Sequence, residues 1–274
     1  MSKKSKSKSK SIAKSKISPK SNSEFDKVSK KLKSVIESSD DSDDTKKFKR
    51  LLNLYMENLT KFPENSNPEF EVRFGTKNIK SITKIDFANV AKSLLANGFK
   101  LVKENYSLKI IMDNEYSQIR TQLDGLNNIQ DYCNNNSVNN IVDPNNVSFL
   151  QKEYFRFEEQ PIYPLDFDDY NFRVAFQVEN NFEIVDEKIQ KIINKWSSTK
   201  KIFRYIKRFE YSHPSIPFMI HLSIVKTSKS LGGKMIPQFN IKDSEVFDSV
   251  EHYEIEIECN NTQIGIDTKF EKGI

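Results

Sequence analysis

The chain has 274 residues and carries 43 Lys and Arg against 38 Asp and Glu, a formal net charge of +5. Its two cysteines, Cys133 and Cys259, form no CxxC pair and stand beside only three histidines, which excludes a disulfide framework and gives a structural zinc site no support. No apolar run approaches the roughly 18 residues that span a bilayer, and the N-terminus lacks the apolar stretch of a signal peptide. With seven Gly and nine Pro, repeat and collagen-like architectures drop out. The expectation is a soluble, intracellular protein of one domain plus a tail, with no membrane partner.

Residues 1–45 form that tail. Lys and Ser alternate through KKSKSKSKSIAKSKISPK at 3–20, and an acidic patch, SSDDSDD, follows at 38–44. So few apolar side chains cannot offset the entropy of ordering, and disorder is expected. A solubilising or targeting segment and a sequence-independent grip on nucleic acid both fit the composition.

Residues 46–274 read as the folded domain. Leu51, Leu52, Tyr55, Met56 and Leu59 mark one face of a helix that Pro63 stops. Thr83 reads as the N-cap of a second helix, with Phe87, Val90, Ala91, Leu94 and Leu95 on one face and Gly98 at its end. A third spans roughly 184–196 with Ile189, Ile192 and Ile193. Alternation of period two predicts strands at 69–75, 105–112, 115–123, 149–158, 171–180, 201–211, 217–226 and 251–259. The Asn-rich stretch 127–146 reads as a long surface loop. About eight strands without a βαβ rhythm point to a β (α+β) fold, a closed antiparallel eight-stranded barrel with a few outer helices.

The alternation itself is unusual. In EFEVRFG, Glu69, Glu71 and Arg73 share one face while Phe70, Val72 and Phe74 share the other. In HYEIEIEC, Glu254, Glu256 and Glu258 oppose Ile255 and Ile257. A single strand of this kind has a solvated outer face as its ordinary explanation. Two rows of like charge make more sense around a hard cation with oxygen ligands. Intervening strands carry Arg120, Arg173, Arg204 and Arg208 at alternating positions. Turned inward, they would line a charged tunnel in which guanidinium groups hold phosphate oxygens. Glu179 falls on the same strand face as Arg173 and suits either a general base for water or a salt bridge to a tunnel arginine.

These motifs resemble the triphosphate tunnel metalloenzymes, and among them the metal-dependent RNA 5'-triphosphatases of fungal, protozoan and large-DNA-virus mRNA capping systems. The resemblance covers about residues 66–260, with EFEVRFG and YEIEIE as its strongest elements. It implies hydrolysis of the γ-phosphate of 5'-triphosphate RNA with Mg2+ or Mn2+. By the same resemblance Glu69, Glu71 and Glu258 are metal ligands, with Glu254 and Glu256 completing the acidic strand. Arg120, Arg173, Arg204 and Arg208 act on the phosphates, Glu179 positions the water, and Arg73, Lys152, Lys207 and Lys226 are further substrate contacts. The chain departs from the family at Ile206, where relatives have a basic residue, and at Met219 and His221, where they have Arg and Asp. A bulge would be needed to bring Lys207 inward.

Two rival readings remain at this stage: a tunnel hydrolase of inorganic triphosphate or free nucleoside triphosphates, and a catalytically decayed RNA-binding subunit. No KxDG motif of a nucleotidyltransferase and no glycine-rich methyltransferase loop occurs. A guanylyltransferase or methyltransferase is therefore expected as a separate subunit or domain. The expected location is cytoplasmic, in a viral factory or virion, or nuclear.

Overall fold

The computed structural model describes residues 42–75, 80–139, 141 and 146–261. Eight strands form the barrel: β1 (Ser66–Phe74), β2 (Lys100–Met112), β3 (Ile119–Asp124), β4 (Val147–Tyr154), β5 (Phe172–Phe182), β6 (Lys201–His213), β7 (Ile216–Thr227) and β8 (His252–Cys259). Each pairs antiparallel with its neighbours in the order β1-β8-β7-β6-β2-β3-β4-β5, and β5 pairs back onto β1, so the sheet closes. A three-residue strand, Leu165–Phe167, extends the sheet beside the start of β5 where β4 has ended.

Among the described residues four helices lie outside: α1 (Asp43–Asn58), α2 (Lys84–Ala96), α3 (Leu126–Asn135) and α4 (Glu187–Asn194). Helix α1 opens inside the acidic patch. Asp43 and Asp44 occupy its first turn, where the helix dipole favours negative charge, and the Ser42 hydroxyl accepts the Thr45 amide at 3.2 Å. The folded part therefore begins ahead of residue 46, while residues 1–41 of the expected tail lie outside the described residues. Helix α2 has the expected Thr83 cap, closed into a capping box by Asp86. Gly98 follows its end at φ +84°, a conformation that glycine adopts without steric penalty.

Helix α3 corrects the expectation of a surface loop at 127–146. Nine Asn between 127 and 146 obscure a short apolar face, yet Ile129 and Tyr132 are buried against β2, β3 and α4. Burial of such side chains contributes about 1.5–3 kcal/mol each, more than the Asn propensities cost. Two strands are also shorter than expected. Residues 113–118 form a turn ahead of β3, and β4 stops at Tyr154, beyond which Arg156–Phe157 pairs with Gln160–Pro161 in a separate hairpin.

The barrel is apolar outside and charged inside. Phe70, Val174 and Phe176 point outward from β1 and β5 onto Leu51, Tyr55 and Leu59 of the N-terminal helical segment. Leu108, Ile110, Leu123 and Phe203 meet Ile129, Ile189, Ile192 and Trp196. Leu222, Ile220 and Ile255 meet Leu94 of α2. Each helix thus covers an outer sheet face, and the opposite side chains of the same strands have only the lumen to enter. An eight-stranded barrel is just wide enough for inward side chains to meet across it.

Candidate active site

Register places the two glutamate-rich strands side by side. Glu71 stands opposite Glu258 and Arg73 opposite Glu256. On the other flank of β1, Glu69 faces Gln177, Glu71 faces Ala175 and Arg73 faces Arg173. Because directly opposed residues project to the same side, one inner surface carries Glu69, Glu71, Arg73, Glu254, Glu256 and Glu258.

Each of these carboxylates has its own environment. Lys152 of β4 reaches across, its Nζ 2.5 Å from Glu69 and 3.1 Å from Glu71. Arg73 bonds Glu256 and lies 3.1 Å from Glu71. Arg208 bonds Glu256 at 3.1 Å and donates from Nε to the Ser223 hydroxyl at 3.2 Å. Arg204 bonds Glu254 at 2.5 Å. Burial alone would raise the Glu256 carboxyl, but Arg73 and Arg208, with Lys152 and His221, hold it down at about 2. Glu258 moves the other way. Burial first, then the charges of Glu69 and Glu71, push it up to about 8 against the opposing pull of Lys152. Burial likewise raises Glu69, and Lys152 offsets only part of that. His221 lies 3.3 Å from Glu258 but offers it no positive charge, because burial and then Arg208 push the imidazole down to about 4. Glu258 and Glu69 are therefore carboxyl groups short of positive charge.

Across the lumen the balance reverses. Lys109 on β2 stands opposite Arg204 of β6 and Gln122 of β3. Burial, followed by the charges of Arg120, Arg208 and Arg204, lowers its ammonium to about 8. Among the described residues it has no hydrogen-bond or ion-pair partner. Arg204 Nε is also a buried donor without an acceptor, as is Arg73 Nε on the glutamate side. Sequence reading missed Lys109 because it sits in KENYSLKIIM, where no second charge on its face marks the alternation. The signal available was its offset of two from Ser107 and Ile111, opposite to Leu108 and Ile110 on the apolar face.

Of the expected site residues, Glu69, Glu71, Glu254, Glu256, Glu258, Arg73, Lys152, Arg120, Arg204, Arg208 and Glu179 all lie on inward positions. Glu179 bonds Arg120 at 2.9 Å, so the salt bridge is present. Arg173 is inward in register but half exposed at a mouth, bound by Asp166 at 2.6 and 2.8 Å. Lys207 and Lys226 are not in the lumen. The pairing of β6 with β2 and β7 is regular around position 207, so Ile206 and Arg208 face inward and Lys207 outward, onto Glu104 at 2.9 Å and the rings of Tyr106 and Phe209. Lys226 likewise points out and donates to the Phe247 carbonyl at 2.7 Å. No bulge brings Lys207 back, so Ile206 fills the basic position and is buried. Gly232 and Gly233, both at positive φ, turn the small hairpin between Ser230–Leu231 and Lys234–Met235.

A divalent cation could find oxygen donors on these two strands. Glu69, Glu71 and Glu258 lie on adjacent strands at neighbouring levels, and the excess negative charge that raises Glu69 and Glu258 is what such an ion would neutralise, so donor type and charge fit. Among the described residues, however, no three ligating side chains converge as they stand, since Lys152 occupies Glu69 and Glu71. Glu254 and Glu256, the other two expected ligands, pair with Arg204 and with Arg73 and Arg208.

No protein-family model matches the chain, and no curated protein matches it. Among solved structures it is similar to the Mimivirus capping enzyme triphosphatase, at 17% identity over 76% of this chain and 88% of that one, with a TM-score of 0.46. It is also similar to the S. pombe Pct1 RNA triphosphatase, at 14% identity over 80% and 79% and a TM-score of 0.45. The same protein in complex with the Spt5 CTD aligns at 12% identity over 82% of each chain, with a TM-score of 0.42.

Proposed function

We propose that the barrel interior hydrolyses a triphosphate, and that the substrate is the 5'-triphosphate end of RNA, in the first step of cap formation. The observation that carries this reading is the polarity of the lumen. Carboxyl groups short of positive charge line β1 and β8, while facing strands hold Lys109 and Arg204, whose Nε is a buried donor with no acceptor. A polyphosphate satisfies the second group and a divalent cation the first.

In this reading the cations orient the substrate. Lys109, Arg120, Arg204 and Arg208 take the phosphate oxygens, and Glu254 and Glu256 fix the directions of Arg204, Arg208 and Arg73. Glu179, steadied by Arg120, receives the proton of a water whose oxygen attacks the γ-phosphorus. The bond from that phosphorus to the β–γ bridging oxygen breaks, giving inorganic phosphate and a 5'-diphosphate end. A magnesium or manganese ion held by Glu69, Glu71 and Glu258 would neutralise charge on the phosphoryl group. No covalent intermediate is required, since positioning and electrostatic stabilisation carry the reaction. A guanylyltransferase is the enzyme class that would consume the product.

RNA labelled in the γ-phosphate tests this through its products. Labelled inorganic phosphate together with 5'-diphosphate RNA is expected. Release of pyrophosphate, or no release from RNA, would contradict the proposal.

A further inference from the structure

We propose that RNA enters through one particular mouth of the barrel, and that Tyr154 and Tyr163 at that mouth stack on the first bases behind the 5'-triphosphate. The inference rests on the triphosphatase reading above and adds a site for the nucleoside part of the substrate.

Antiparallel strands give the barrel two unlike mouths. The ends of β1 and β4 and the starts of β5, β6 and β8 surround one of them. Arg73, Arg173 and Arg204 stand there with 43%, 50% and 32% of their side-chain surface exposed. The opposite mouth holds Asp124, Glu210 and Glu258, and there Lys103 lies 3.9 Å from Glu210. Tyr154 belongs to the mouth where these three arginines stand. It is the last residue of β4, two after Lys152, so it projects to the same inner side as the ammonium that touches Glu69 and Glu71.

Tyr154 is 42% exposed and Tyr163 is 65% exposed. Their rings meet edge-on with centroids 5.5 Å apart and planes at 66°. An edge-on pair leaves ring faces open to solvent at the rim of a charged tunnel. A triphosphate seated in the lumen places the first nucleoside at the rim. Single-stranded bases stack on exposed aromatic rings without regard to sequence, and neighbouring guanidinium groups add backbone contacts. Inorganic triphosphate offers the same anion with no base, so the two tyrosines distinguish RNA from the simpler polyphosphate.

The test measures KM for 5'-triphosphate RNA and, separately, the Ki of inorganic triphosphate as its competitor. It compares the wild-type protein with the double variant Tyr154→Ala/Tyr163→Ala and with Tyr154→Phe/Tyr163→Phe. Loss of stacking at the two rings should raise KM for RNA about ten- to a hundredfold. The Ki of inorganic triphosphate should stay within twofold, which also shows that the lumen of the variant is folded. The phenylalanine pair keeps the ring faces and should behave as wild type. Equal changes in KM and Ki, or no change in either, would overturn the entrance proposal and leave the hydrolase reading standing. Failure of the wild-type protein to release phosphate from RNA would overturn both.

Discussion

Replacing Glu256 with Gln keeps the shape of the side chain and removes its charge from between two guanidinium groups. The side chain is 5% exposed, with Arg73 on one side and Arg208 at 3.1 Å on the other. Holding a carboxyl at about 2 rather than 4.5 favours its charged form by about 3 kcal/mol. Losing one partner of a buried pair is costly because the remaining charges stay buried, and Arg73 keeps only Glu71 at 3.1 Å. The variant should therefore unfold with a midpoint roughly 6–12 °C lower at pH 7 in EDTA. A depressed carboxyl gives stability that is fully present above its unfolded value near 4.5 and disappears as the pH falls toward 2. The gap between wild type and E256Q should close over that window. Thermal scans by circular dichroism between pH 7 and pH 3 measure it. Equal midpoints at pH 7, or a gap unchanged at pH 3, would refute the argument that Glu256 is the anchor of the guanidinium cluster.

Lys109→Met removes a cation that no protein group satisfies. Turnover of triphosphate RNA should fall about ten- to a hundredfold, the range of one charged hydrogen bond, while the unfolding midpoint at pH 7 rises. Since burial and three arginines lower the ammonium to about 8, the cost relieved is complete below pH 8 and vanishes as the pH approaches the ordinary lysine range, so the gain should shrink there. Lys207→Ala and Lys226→Ala, on the outer face, should each leave kcat/KM within twofold; a loss like that of Lys109→Met would place them in the lumen after all.

Much of this fold was legible because strand alternation is a backbone property. All eight barrel strands and helices α1, α2 and α4 announced themselves through the spacing of their apolar residues. Helix α3 did not, since its buried face consists of little more than Ile129 and Tyr132 among asparagines, and only the packing partners on β2 and α4 reveal it. The inward direction of EFEVRFG and YEIEIE followed from charge repetition on two separate strands. Lys109 carried no such repetition and was invisible until register set it among three arginines. Lys207 failed for the opposite reason. Resemblance suggested an inward basic residue, but a regular strand cannot turn positions 207 and 208 to the same side. Pairwise engagement was also beyond the sequence: nothing in the spacing of Glu69, Glu71 and Lys152 tells that one ammonium spans both carboxylates.

The most direct test of the lumen as a reaction site is release of γ-phosphate from 5'-triphosphate RNA by wild-type protein and by Glu71→Ala, each with magnesium, with manganese and with EDTA. The account predicts release by the wild type that requires a divalent ion, and release at background in the variant under every condition. Equal release by both proteins, or release that EDTA leaves intact, would contradict it.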